Sequence, residues 1–295
     1  MSNILYYILL GWAKANAMLP MRALYWVSDF LYLIIYRLAK YRVKVVRRNL
    51  RASFPEKSET ERLEIERQFY HHFADYIVET IKLAHISEKE LQRRAYVQNP
   101  ELVDRLIAEG HSTFVVFMGH YGNWEWYSGS SSRFEDCKIH QIYRPLNNRA
   151  VDRLFLYLRT RFNSYCIKKN DTFRDIVKLK RDKVRTIVIF LADQTPSRGN
   201  LHYWTPFLNQ DTPMLTGAER IARKLNLPVL FLDVQKLRRG YYTLEIKLMS
   251  ESPKDTAENQ LTEEYTRLLE QMIRRAPAYW LWTHKRWKYT RADKD

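Results

Sequence analysis

An α/β layered fold with a mostly parallel central sheet flanked by helices is the class this sequence predicts, and three observations predict it. Residues 113–118 (TFVVFM) and 186–191 (TIVIFL) are apolar, β-branched or aromatic almost throughout, as strands covered on both faces must be. Around them, helical and extended segments alternate in the βα manner. A chain of 295 residues that is 46% hydrophobic, with only 8 glycines, can bury a large core, which excludes disordered, low-complexity and fibrous classes.

The division expected is an N-terminal segment, residues 1–53, of membrane-associated helices and a basic stretch, followed by an α/β domain over residues 54–295. Residues 4–12 and, beyond Pro20, residues 24–36 are apolar and rich in Tyr and Trp, but Lys14, Arg22 and Asp29 interrupt them. No charge-free run reaches the roughly 18 residues of a spanning helix. Aromatic-rich helices of this kind suit the membrane interface, with a buried core hairpin as the alternative. With no basic n-region and no small-residue cleavage site, the segment does not read as a signal peptide.

Arg37, Lys40, Arg42, Lys44, Arg47, Arg48 and Arg51 follow, with no acidic residue between Asp29 and Glu56. The whole chain carries 49 basic against 33 acidic residues, a net charge of +16, so an anionic partner is expected. A cationic run abutting an apolar anchor suits anionic lipid head groups. Nucleic acid is not expected, because no recognisable binding signature is present and the aromatics lie beside the basic run rather than within it. Cys137 and Cys166 lack metal-type spacing and imply a reduced compartment without a disulfide framework.

Ser58 to Glu61 forms a capping box that opens a long amphipathic helix over residues 62–84, with Ile65, Phe69, Phe73, Tyr76, Ile77 and Leu83 inward. His71 and Asp75 on it are two groups only, which do not make a metal site, so no metal is expected. A short helix follows Pro100 and leads into the first central strand. Strands are expected at 138–143, 165–167, 186–191, 229–234 and 241–248, and helices at 148–162, 172–180, 214–225 and 262–275.

The chemistry gathers at the end of residues 113–118, where Gly119 and Gly122 break the strand and Asn123 can cap a helix starting at Trp124. His120 falls in that turn, where open sheets place their ligands. Glu125 in the first helical turn is expected to fold back onto one imidazole nitrogen and leave the other to accept a proton. No serine or cysteine sits in a nucleophile turn, so the proton removed belongs to a substrate hydroxyl. A capped turn whose histidine only satisfies backbone carbonyls is the alternative. Arg144, before Pro145 at the next strand end, can bind a phosphate or stabilise developing charge on a carbonyl oxygen. Asp193 and Gln194 end the strand 186–191, the loop 195–200 is long enough to cover a site, and Trp280, Trp282, His284, Lys285, Arg286, Trp287 and Lys288 form a second aromatic and basic patch.

Five motifs in order, Val46-Arg47-Arg48-Asn49-Leu50 with Phe54-Pro55, Gly119-His120-Tyr121-Gly122-Asn123-Trp124-Glu125, Tyr143-Arg144-Pro145 with Asn148, Ala192-Asp193-Gln194 and Trp282-Thr283-His284-Lys285-Arg286, make nearly the whole chain resemble the bacterial lipid A biosynthesis (lauroyl/myristoyl) acyltransferases. These belong to the wider H-x4-D/E lysophospholipid acyltransferase superfamily. The resemblance implies a membrane-associated O-acyltransferase at the cytoplasmic face of the inner membrane, active in lipopolysaccharide biosynthesis. It would move a fatty acyl chain from an acyl thioester, usually of acyl carrier protein with coenzyme A as the other possible carrier, to a hydroxyl of a lipid A precursor, with no cofactor. Another lysophospholipid, glycolipid or aminolipid acceptor, or non-catalytic anionic-lipid binding, is the alternative. By the same resemblance His120 and Glu125 are the catalytic pair and Arg144 an electrostatic or phosphate-binding residue. Asp193 would order the site, and Asp193, Gln194, Asn123 and Arg286 are expected with Arg144 on the substrate-binding surface. The N-terminal segment departs from a simple single-span anchor by carrying more charges.

Overall fold

The computed structural model describes residues 2–127, 134 and 137–294. Among these residues seven strands form one sheet: β1 (Ala95–Val97), β2 (Thr113–Met118), β3 (Lys138–Tyr143), β4 (Ser164–Lys168), β5 (Thr186–Leu191), β8 (Val229–Arg238) and β9 (Tyr241–Ser250), in the order β1-β9-β8-β2-β5-β3-β4. From β8 to β4 every neighbouring pair is parallel, as expected of fully apolar strands joined through helices. β9 folds back antiparallel on β8 through a turn at Gly240, whose φ is +71°, and β1 lies parallel to β9 at the edge. Every residue of β2 is buried, which places this strand in the middle of the core.

Among the described residues ten α-helices cover the sheet and its ends: α1 (Ser2–Ala17), α2 (Met21–Tyr32), α3 (Val43–Ser53), α4 (Glu59–Lys82), α5 (Glu88–Arg94), α6 (Glu101–Ala108), α7 (Arg149–Arg159), α8 (Thr172–Arg181), α9 (Gly217–Leu225) and α10 (Gln260–Arg275). α4 starts at the capping box read from the sequence: Ser58 accepts from the Glu61 N–H while the Glu61 carboxylate accepts from the Ser58 N–H. Asn148 caps α7, its side chain accepting from the N–H groups of Ala150 and Val151. The helix expected from residue 124 begins as a turn through residue 127 and otherwise falls outside the described residues.

Three differences have physical reasons. The segment 203–214, to which the sequence assigns no element before a helix start at Met214, is an antiparallel hairpin of β6 (Tyr203–Phe207) and β7 (Gln210–Met214). Its turn at Leu208 and Asn209 has both φ values positive, the geometry that suits a two-residue hairpin connection. α9 therefore starts at Gly217 rather than at residue 214. β1 is too short to leave a period-two pattern.

The first fifty residues share the central core. Ala13, Ala17, Met21, Leu24, Tyr32, Val46 and Leu50 join the same buried cluster as β2 and β5. Their other faces are open: Ile4, Tyr7, Ile8, Trp12, Trp26 and Phe30 are each more than half exposed. Among the described residues no single helix is long and apolar enough to cross a membrane; α1 and the stretch from Met21 to Leu38 form an apolar pair bent by 117°.

Candidate active site

Parallel pairing builds the site. β2 and β5 run in register from Thr113 beside Thr186 to Met118 beside Leu191, so the residues two beyond each end, His120 and Asp193, emerge side by side at the carboxyl edge of the sheet. His120 Nδ1 lies 2.6 Å from Asp193 Oδ1, and the His120 backbone N–H donates to Asp193 Oδ2 at 2.8 Å. The Trp280 indole N–H donates to the same Oδ2 at 2.8 Å. A carboxylate can only accept, so Nδ1 carries a proton, and in the neutral ring Nε2 then holds the lone pair. Gln194 Nε2 sits 3.2 Å from His120 Nε2, an amide N–H donating to that lone pair. The imidazole retains 15% exposure while the Asp193 carboxylate has 1%.

Burial alone would raise Asp193. The neighbouring imidazole charge, the imidazole and backbone N–H groups of His120 and the Trp280 indole outweigh it and hold the carboxyl at about 2. Because this value lies below the roughly 3.9 of an unfolded aspartate, Asp193 contributes stability that is complete above the unfolded value and lost as pH falls through it toward about 2. The contribution is about 2–3 kcal/mol. Denaturant unfolding of the wild type and of Asp193→Asn, compared at pH 5 and pH 3, is expected to show the gap between them narrowing at the lower pH.

Glu125 is elsewhere. The carboxylate expected on the imidazole instead forms a two-pronged ion pair with Arg159 of α7, at 2.6 and 2.8 Å, and is 2% exposed. Both ring nitrogens of His120 are matched by Asp193 and Gln194, so the His120–Glu125 hydrogen bond is corrected to His120–Asp193. The reason lies in the path of the chain: after Gly122 it turns through 123–126 toward α4 and α7, not back toward His120. Glu125 is nonetheless close in the packing sense, because Tyr76 bonds to it, Tyr76 stacks on Trp124 with ring centres 4.1 Å apart, and Trp124 meets His120 edge-on at 5.1 Å.

Two glycines allow the turn. A Cβ on Gly119 would stand 2.6 Å from Leu269 Cδ1 on α10, so its missing side chain lets the sheet edge pack against that helix. Gly122 has φ +61°, and a Cβ there would fall 2.3 Å from the Tyr127 hydroxyl and 3.3 Å from the Tyr242 ring. Gly122→Ala combines backbone strain with overpacking and is expected to cost about 2 kcal/mol or more. A chemical denaturation midpoint measures it.

The C-terminal segment closes the back of the site. Gly122 N–H donates to Tyr279 O, Leu281 N–H to His120 O, and Tyr121 forms an isolated bridge with Trp280. His284, pushed down to about 4 chiefly by burial, is neutral at pH 7 and accepts the Thr195 N–H at 3.1 Å, tying the loop after Gln194 to this segment. The second aromatic and basic patch is therefore partly core: Trp280, Trp282 and Arg286 are buried, while Lys285 and Lys288 are exposed.

The remaining expected site residues divide. Asp193 and Gln194 touch His120. Arg144 is exposed just beyond β3, two strands from β2 along the same sheet edge. Asn123 is wholly buried and donates to Glu79 Oε2 at 2.8 Å, so it supports the turn instead of facing substrate. Arg286 is also wholly buried, with Nη2 on Pro213 O, and stands behind the site; burial lowers its guanidinium to about 10 against the raising fields of Asp193 and Tyr265. Arg159 and Trp280 were not anticipated as site residues. No local pattern links Arg159 to Glu125 across 34 positions, whereas the equal offsets of His120 and Asp193 from two six-residue strands carried a usable signal.

The arrangement is a polarised imidazole whose second nitrogen is held only by the Gln194 amide, edge-on to Trp124 and backed by a buried carboxylate, which is the equipment for removing a proton from a hydroxyl. Among known proteins, the palmitoleoyltransferase of lipid A biosynthesis from Escherichia coli (strain K12) is 24% identical over 253 residues, covering 84% of this chain and 79% of that protein. The lipid A biosynthesis acyltransferase of Shigella flexneri matches over the same shares. The lauroyltransferase of lipid A biosynthesis from Escherichia coli (strain K12) is 24% identical over 272 residues, 92% of this chain and 87% of its own length. The profile of the family described as bacterial lipid A biosynthesis acyltransferase matches residues 1–289. With a match over nearly its whole length, this chain belongs to the bacterial lipid A biosynthesis acyltransferase family and is an acyltransferase.

Proposed function

We propose that the protein is a membrane-associated O-acyltransferase that moves a fatty acyl chain from an acyl thioester, carried on acyl carrier protein, to a hydroxyl of a lipid A precursor at the cytoplasmic face of the inner membrane. The observation that carries this reading is His120, a partly exposed imidazole at the sheet edge held through Nδ1 by buried Asp193, with Nε2 on the Gln194 amide. The relatives named for palmitoleoyl and lauroyl transfer support a fatty acyl group.

In the reaction, the acceptor hydroxyl displaces the Gln194 amide from His120 Nε2 and gives up its proton as its oxygen attacks the thioester carbon. Asp193 stabilises the imidazolium that forms. The tetrahedral intermediate collapses with loss of the thiolate, and the imidazolium returns the proton to that sulfur, so charge and protons balance. Arg144, exposed just beyond β3 at the same edge, is the cation offered to the acceptor's phosphate or the developing oxyanion.

The surface supports a lipid location. The exposed aromatic and aliphatic faces of α1 and α2 are the kind that enter a bilayer interface. Next in the chain, Lys44, Arg47, Arg48 and Arg51 line a groove of about 440 Å³ on α3 that suits anionic head groups or an acidic carrier protein. The inner face of α3 is fixed to the active-site backing, since Asn49 Nδ2 donates to the carbonyls of Trp282 and His284.

His120→Ala, assayed in mixed micelles with acyl carrier protein thioesters and a lipid A precursor, is expected to lose about 10²–10⁴-fold in turnover. Wild-type turnover by this variant would remove the base assignment, and transfer to a different acceptor lipid would redirect the substrate assignment.

A further inference from the structure

We infer that Glu79, on α4, is a positioning residue that ties the turn bearing His120 and Glu125 to the seating of α2. It rests on the acyl-transfer reading above and adds a residue and a coupling that this reading does not contain.

Glu79 is wholly buried and four donors converge on it. Asn123 Nδ2 reaches Oε2 at 2.8 Å and the Tyr242 hydroxyl reaches the same oxygen at 2.9 Å. The Tyr25 hydroxyl reaches Oε1 at 2.9 Å, and the Trp126 indole N–H donates to the Glu79 backbone carbonyl at 2.7 Å. Asn123 and Trp126 thus bracket Glu125, so both ends of that short segment hang from one residue of α4. Tyr25 belongs to α2, and its neighbour Trp26 is the most exposed aromatic described there, at 76%. One helix therefore presents an apolar face outward and a hydroxyl inward to the carboxylate that holds the catalytic turn.

A second polar path runs in parallel. Ser28 of α2 donates to Asp75 Oδ1 at 2.7 Å, Lys236 approaches Asp75 and His72, and His72 Nε2 meets Gly122 O at 3.2 Å. Burial is the main cause that keeps His72 well below its ordinary value, helped by the Lys236 charge, so its ring is neutral and Nε2–H donates to that carbonyl. Both paths end within three residues of His120. A small shift at the reacting atoms is enough to affect rate, because proton transfer requires hydrogen-bond reach. Tyr25 itself is gripped: Arg239 lies over its ring at 4.4 Å, and a Cβ on Gly240 would fall 1.9 Å from its hydroxyl. Loss of the hydroxyl alone therefore leaves the ring seated and cuts only the tie to Glu79.

The test uses the full chain in vesicles of phosphatidylethanolamine and phosphatidylglycerol, with acyl carrier protein thioester and lipid A precursor, and compares Tyr25→Phe, Glu79→Gln and the double variant. Tyr25→Phe is expected to lower kcat by about 3–10-fold with KM for both substrates near wild type, and to lower the thermal midpoint by a few degrees because a buried carboxylate oxygen loses its donor. The double variant is expected to be no slower than Glu79→Gln, because both changes break one linkage. Wild-type kcat in Tyr25→Phe, or a double variant whose loss is the product of the two single losses, overturns the coupling. The His120 Hε1 resonance supplies a readout that needs no substrate: it is expected to shift in Tyr25→Phe, and an unchanged resonance overturns the inference. If the wild type transfers no acyl group, the proposed reaction falls, and the resonance alone decides the coupling.

Discussion

Replacing Asp193 by asparagine is expected to lower kcat for acyl transfer by about 10²–10⁴-fold, the range for loss of an oriented general base. The carboxylate accepts three N–H groups at once, from the His120 ring, the His120 backbone and Trp280. Asparagine keeps one acceptor oxygen and brings an NH₂ that must face a donor or turn to Nδ1. When it turns to Nδ1, the ring proton moves to Nε2, and the lone pair that should take the substrate proton is gone. Neither atom of the carboxylate reaches the surface, so KM is expected to change much less than kcat. Initial-rate kinetics over both substrates would show the split; an equal rise in KM with unchanged kcat would make Asp193 a binding residue instead.

The second large effect concerns stability. Arg159→Met leaves the Glu125 carboxylate, 2% exposed, without its counter-charge, and is expected to destabilise the fold by about 3 kcal/mol. Burial works against the Arg159 cation, yet the field and hydrogen bonds of Glu125 outweigh it and raise its pKa, which is the sign of a pair that is favourable only as a pair. The double variant Glu125→Met with Arg159→Met is expected to recover most of that loss, since it removes both charges from the interior. Chemical denaturation of the two singles and the double tests this as a cycle. Turnover of the double variant should stay low even where stability returns, because the Tyr76–Trp124–His120 packing loses its polar anchor.

The sequence made the frame of the sheet legible because its strands are extreme. TFVVFM and TIVIFL can scarcely be anything but buried strands, and their observed ends coincide with the expected ones. The capping box at Ser58 and the Asn148 cap were readable because both are short-range hydrogen-bond patterns. The β6–β7 hairpin was hidden by two prolines, Pro206 and Pro213, inside its strands, which argue against a ladder unless the strands stand apart from the main sheet, as these do.

At the site, His120 was found from its strand-end position, but its partner was misassigned. A residue five positions away is nearer along the chain than one 73 positions away, and the in-register pairing of β2 with β5 reverses that order in space. Asn123 and Arg286 belonged to the right motifs and the wrong side of the wall. Motif membership records that a residue matters, not which way its side chain points, and both side chains are buried in support of the turn and its backing.

The central claim is that Asp193, not Glu125, fixes the tautomer of a His120 base. ¹⁵N chemical shifts of the imidazole in histidine-labelled protein, assigned with His120→Ala, read the tautomer directly. The account predicts a protonated Nδ1 and a free Nε2 in the wild type and in Arg159→Met, with that pattern lost in Asp193→Asn. A wild-type signal showing Nε2–H, or a pattern that survives Asp193→Asn and collapses in Glu125→Gln, would contradict it.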